Sequence, residues 1–281
     1  MKSAADFGIM SEPPSHPALL DWLAVDFRDN GWDVKRLIRL LVMSETYRQS
    51  AVLTKERLER DPDNRLLSRG PRYRMDAEMV RDYALAASGL LVGKIGGPSV
   101  RPYQPDGVWE AVAMPGSDTG KYQRDTGEAL YRRSLYTFWK RSAPPASLEL
   151  FNAPSRESCT IRRERTNTPL QALVTLNDPQ YVEAARNLAQ LALKAAPNDA
   201  KAALEVMARR VLCRPLRSAE IPILETSSAA LFAHYSKAPD EVTALLTFGE
   251  SKADPAIPAP QLAAWTMVAT QLLNLDEALN K

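Results

Sequence analysis

Cysteine and histidine are scarce in this chain. Cys159, Cys213, His16 and His234 are all that occur among 281 residues. Two cysteines permit at most one internal disulfide, which excludes a disulfide-framework fold. There is no Cys-x-x-Cys-His run, so the chain attaches no c-type haem of its own. There is no His-Glu-x-x-His and no Cys/His cluster, so no metal site is expected. "DPDNR" (Asp61–Arg65) starts like a calcium loop, but Arg65 stands where an oxygen ligand is required. Gly-x-Ser-x-Gly, the Walker motif and Gly-x-Gly-x-x-Gly are absent, and "GKIGGPS" lacks both a preceding strand and the Lys-Ser/Thr ending. A dominant charge is missing too. The 36 basic and 34 acidic side chains leave a formal net charge of +2, which argues against a dedicated nucleic-acid binder. Long apolar runs are lacking. Leu37–Met43 is the most apolar stretch, Arg39 interrupts it, and nothing reaches the roughly 18 residues a membrane span needs. Asp6 and Glu12 break the N-terminal stretch, so no conventional signal peptide is expected.

What the sequence does contain is helical periodicity. "SHPALLDWLAVDFRDNG" offers Ser15 as a cap, Pro17 for the first turn and Asn30-Gly31 as a stop. Leu20, Leu23, Ala24 and Phe27 make one apolar stripe. Asp33 is a second N-cap, ahead of Val34, Leu37, Ile38 and Leu41 at the same spacing, and the short link predicts an antiparallel helical hairpin. A third helix is predicted over about 76–91, with Val80, Ala84, Ala87 and Leu91 on its apolar face. Residues 93–128 are rich in Gly and Pro, and "RRSLYTFWKR" (Arg132–Arg141) reads as a short strand pairing near Val100. After Pro169 the pattern is helical to the end, with a polar loop holding at most one short helix before the last one. The fold class is therefore mainly α: a helical bundle with a small irregular insert that has room for a short β-hairpin. One helical domain over 1–281 is expected, with N-terminal helices at 1–92, the Gly/Pro-rich insert at 93–141 and C-terminal helices at 142–281.

The densest chemistry lies in "ESCTIRRERTNTPLQAL". Thr168 and Gln171 have capping-box spacing around Pro169, and Asp178-Pro179 starts another helix. Arg162 and Arg163 alternate with acids, so their local excess is small. Glu78 and Asp82 lie one turn apart on the helix at 76–91, with Arg81 between. Guanidinium groups hold carboxylates bidentately. A structural latch is therefore expected, joining that helix to the arginine segment, with Arg132, Arg133 and Arg141 nearby. The competing reading makes Arg132, Arg133, Arg141, Arg162, Arg163 and Trp139 a binding set for an anion or an acidic sugar, the insert's aromatics stacking on sugar rings. Cys159 lies beside arginines, but a nucleophile also needs a base, and neither histidine is placed near it. Nothing selects catalytic residues.

Four stretches carry a family resemblance: "DFGIMSEPPSHPALLDWLAVDFRDNGWDVKRLIRLLVMSETYRQSA", "DPDNRLLSRGPRYRMDAEMVRDYALAASGLL", "YRRSLYTFWKRSAPPASLELFNAPSRESCTIRRERTNTPLQALVTLNDPQYVEAARNLA" and "LLNLDEALNK". The chain resembles the C-terminal domain of unknown function of planctomycete-type cytochrome c proteins, in the form of an N-terminally truncated member. Such proteins are large, multidomain and usually exported. The resemblance implies a cell-envelope or exported setting and a cytochrome c-type module as partner, with the haem in that module. It implies a non-catalytic accessory or interaction role of undefined activity. A carbohydrate- or anion-binding protein, or a glycan-active enzyme using the 93–141 insert, is the alternative.

Overall fold

The computed structural model describes residues 11–280, and the Asp6-Phe7-Gly8 part of the resemblance lies outside them. The described residues are mainly helical. They form twelve α-helices, three short 3-10 turns and isolated β-bridges, with no sheet. They divide into two compact units. Unit 1 is the chain up to Tyr73 plus Thr160–Arg162; unit 2 is Arg74–Cys159 plus Arg163 onward.

In unit 1, α1 (Pro17–Asp29), α2 (Val34–Met43) and α3 (Lys55–Arg60) form where the start signals predict or, for α3, where Thr54 accepts from the Arg57 amide. Asp33 caps α2 by accepting from the Arg36 amide at 3.0 Å. Ser15 does not cap α1. His16 holds the N-cap position, and the Ser15 hydroxyl bonds its ring Nδ1 at 3.0 Å instead. Arg36 reaches across to Asp26 and holds that carboxyl below its usual range through the hydrogen bond it donates. The predicted apolar stripes are present on both helices, but neither helix contains a buried residue.

Unit 2 is built on two alanine-rich helices, α7 (Pro179–Ala195) and α11 (Ala259–Leu273). Ala184, Ala185, Leu188, Ala189 and Ala192 of α7 are fully buried, as are Leu262, Ala263, Ala264, Val268 and Ala269 of α11. Small side chains at a helix crossing let the axes approach closely, and the leucines fill the space between. Around this pair pack α4 (Ala77–Ser88), α6 (Pro169–Asn177), α8 (Ala200–Leu212), α9 (Ile221–Tyr235) and α10 (Pro239–Leu246). Two short helices, α5 (Ala146–Leu150) and α12 (Asp276–Leu279), complete the unit, and α5 has no counterpart in the sequence pattern. The helix predicted at 76–91 is α4. It stops at Gly89, whose φ of +77° is the left-handed conformation that ends helices and that glycine adopts freely.

The insert holds no strand or hairpin. Residues 134–136 instead form a 3-10 turn, and the predicted contact near Val100 is a single parallel bridge to Thr137. The pairing is real, since Val100 exchanges hydrogen bonds with Tyr136 and Phe138. It does not propagate into a ladder: the same segments pair again only in the isolated parallel bridge of Val92 to Arg132, and between the two bridges Arg132 and Ser134 turn to other partners.

Candidate functional site

Arg81, on α4, is 2% exposed. Its Nε donates to the Gln180 side chain at 2.6 Å, and its Nη atoms donate to the carbonyls of Arg132 and Leu130 at 2.8 and 2.7 Å and to the Ser134 hydroxyl at 3.2 Å. Burial pushes this guanidinium below its ordinary range, and Asp82 offsets part of that. Asp82 accepts from both the amide and the hydroxyl of Ser134 at 2.7 Å, with Arg133 3.7 Å away. One residue of α4 thus organises the end of the insert from below while its neighbour holds it from the side. Both act through structural contacts, to backbone and to side chains alike.

A second buried cluster lies one turn into α7. Glu183 is fully buried and accepts from the phenols of Tyr103 and Tyr131, both at 2.9 Å, and from the Ser251 amide. Burial, and then the Glu183 charge, push both phenols well above their ordinary range. Arg186 donates to the carbonyls of Leu246, Phe248 and Ser251. These bonds tie the insert and the loop after α10 to one face of α7. Gly249 is required here. Its φ is +78°, and a Cβ would collide with the Glu183 carboxylate. The cluster is closed to substrate, because Glu183 and Arg186 are sealed by the segments they hold.

The predicted latch forms in part. Arg163 pairs with Glu78 through both Nη atoms, and this holds its guanidinium above the usual range. Asp82 does not join that pair, because Ser134 takes it. Arg162 belongs to unit 1 and is exposed, and Arg141 is exposed. Arg132 is buried; it donates to the carbonyls of Lys94, Gly96 and Pro98 and lies 3.9 Å over the Tyr136 ring. Trp139 donates to the Ser155 carbonyl, and Arg156 lies 4.5 Å over its ring. The insert's other large aromatics are packed inward. Trp109 is 2% exposed and meets the Tyr122 ring edge-on at 4.9 Å. Of the five members of the alternative binding set that belong to unit 2, Arg132, Arg133, Arg163 and Trp139 each have a partner within the fold. Among the described residues, no group of three or more His, Cys, Asp or Glu converges on one point.

The capping-box reading of "TPLQ" is corrected. Pro169 opens α6 as predicted, but Thr168 makes no side-chain cap. Gln171 turns inward to 1% exposure, donates to the Leu150 carbonyl and to Thr166, and accepts from Arg74. Three partners outcompete one backbone amide at the helix start. Thr175, one turn on, is 3% exposed and donates to Asn274 at 2.8 Å. The opposite face carries Leu170 and Leu173, at 55% and 52% exposure. α6 thus buries Gln171 and Thr175 beside Val174, which packs against the core, while two of its leucines face outward.

Sequence reasoning missed Glu183, Arg186, Tyr103 and Tyr131. The available signal was two charged residues, Glu183 and Arg186, one turn apart on an otherwise alanine-rich helix. A buried helix carries such charges only when partners come from elsewhere. A family model described as PSD1, protein of unknown function (DUF1553), matches residues 1–227. No curated protein and no solved structure matches the chain.

Proposed function

The chain belongs to the PSD1 family of proteins of unknown function (DUF1553), and from that premise we propose that it is a non-catalytic interaction module. Its partner in this reading is the cytochrome c-type module that the family resemblance implies, in an envelope-type system. The single observation that carries the proposal is the pair of outward leucines on α6. Leu170 and Leu173 are turned outward while Gln171 and Thr175 are buried and bonded. Exposed leucines on a helix whose polar residues point inward stabilise nothing in the isolated fold, and apolar surface of this kind marks a contact site. The buried ionic groups of unit 2 support the same reading: Arg81 and Glu183 are taken up by carbonyls and phenols of the insert, and Arg186 by carbonyls of the loop after α10.

The test is a binding titration of the purified chain against a purified c-type cytochrome module of the same system. Saturable binding is expected, and the double variant Leu170→Asp/Leu173→Asp should weaken it by about tenfold or more, the loss of two central apolar anchors. Turnover of a polysaccharide or sulfated glycan by the chain alone would contradict the proposal.

A further inference from the structure

Unit 1 contains a cavity of about 630 Å³ between α3 and the turn that follows it. That volume is in the range of about 300–1,000 Å³ common for small-molecule sites. Its lining is Val52, Thr54, Arg57, Arg60, Leu66 and Ser68, with Glu56 and Asp61. The turn wall is fixed from within. Asp61 is 5% exposed, and its carboxylate accepts from the Arg65 and Leu66 amides at 2.7 and 2.9 Å and from the Ser68 hydroxyl. Arg69 donates to the carbonyls of Asp61 and Pro62, and Asn64 closes the turn on the backbone of Arg69. Gln49 donates to the Leu67 carbonyl and so fastens the turn to the segment carrying Val52.

The lining balances two arginines against two carboxylates, but their pairing is uneven. Glu56 is taken by Arg60 at 3.2 Å, and the Asp61 carboxylate is occupied by its own turn. Arg57 is left over. Among the described residues its guanidinium has one contact, to the Val52 carbonyl at the long distance of 3.5 Å. Beside it stand two apolar side chains that face open space, Val52 at 67% and Leu66 at 66% exposure. A bidentate donor with no carboxylate, set next to an apolar wall, matches one ligand chemistry: an anionic head on an apolar body.

We propose that this cavity binds a small carboxylate carrying an apolar body, with Arg57 holding the head and Val52 and Leu66 the body. The test is a set of two-dimensional NMR titrations of the full chain with octanoate, acetate and octylammonium. Octanoate should shift the Arg57 side-chain Nε–H and the Val52 and Leu66 amides along one saturable curve. Acetate should leave the apolar wall unmoved, and octylammonium should bind at least about tenfold more weakly than octanoate, the worth of one charge-assisted hydrogen bond. Arg57→Gln should weaken octanoate by the same factor, and Arg57→Lys should recover part of it. The proposal is overturned if octanoate gives no saturable shift, if octylammonium binds equally well, or if a folded Arg57→Gln chain binds octanoate unchanged.

Discussion

Arg81, Glu183 and Asp178 show how single side chains set the tolerance of this protein to substitution and to pH. Arg81→Ala would strand the carbonyls of Leu130 and Arg132 and the Gln180 side chain in a dry interior. Each buried polar group left without a partner costs roughly 1–3 kcal/mol, so a loss of about 3 kcal/mol is expected in denaturant unfolding. Gly249→Ala should be comparably damaging, because it combines a strained backbone with a collision against Glu183. Asp178 and Glu220 carry opposite pH signatures. Burial raises the Asp178 carboxyl from 3.8 to about 6. The folded state then binds the extra proton, so this residue favours folding below its ordinary value and loses that contribution as pH rises towards 6. Compared with wild type, Asp178→Asn should therefore gain relative stability between about pH 4 and pH 6. Glu220 is held down at about 2 by the hydrogen bonds from Arg214, which also pairs with Glu277. Its contribution is complete above its ordinary 4.5 and is lost as pH falls towards 2. Glu220→Gln should cost about 1 kcal/mol near neutral pH and progressively less in acid. Thermal unfolding of the three proteins across that range checks both signs.

At the scale of elements, helices were readable where pattern and punctuation agreed. Pro17, Asp33, Pro169, Pro179 and Asp199 each stand at or just before the start of a helix, and Gly89 ends one in the left-handed conformation. Reading failed where tertiary partners override local propensity. Thr168 and Gln171 have capping-box spacing, yet Leu150, Thr166 and Arg74 claim the glutamine. "RRSLYTFWKR" has strand composition, yet Arg132 is drawn to three carbonyls and Ser134 to Asp82, which breaks the extended run. The Arg163–Glu78 half of the latch was legible because both residues sit on the expected faces. The Asp82 half was not, since no pattern announces a serine as the competing partner. The insert itself is fastened to α7 by Tyr103 and Tyr131 through Glu183. Glu183→Ala should raise amide exchange across residues 93–131 while α8 and α11 stay protected, and exchange measured by mass spectrometry resolves the two regions.

For the whole molecule, the central claim is that its outward leucines serve a partner and not the fold. Unit 2 carries an extensive core, with α7 and α11 buried along most of their length, and still presents Leu170 and Leu173 to solvent. If these leucines do nothing for stability, Leu170→Asp/Leu173→Asp should unfold within about 0.5 kcal/mol of wild type, the range of ordinary surface changes. The most direct measurement is titration calorimetry of the c-type cytochrome module with wild type and with that double variant, run on protein whose folding has been verified. The account predicts saturable binding for wild type and a loss of about tenfold or more for an equally stable variant. Binding of equal strength by both proteins, or no binding by wild type, would contradict it.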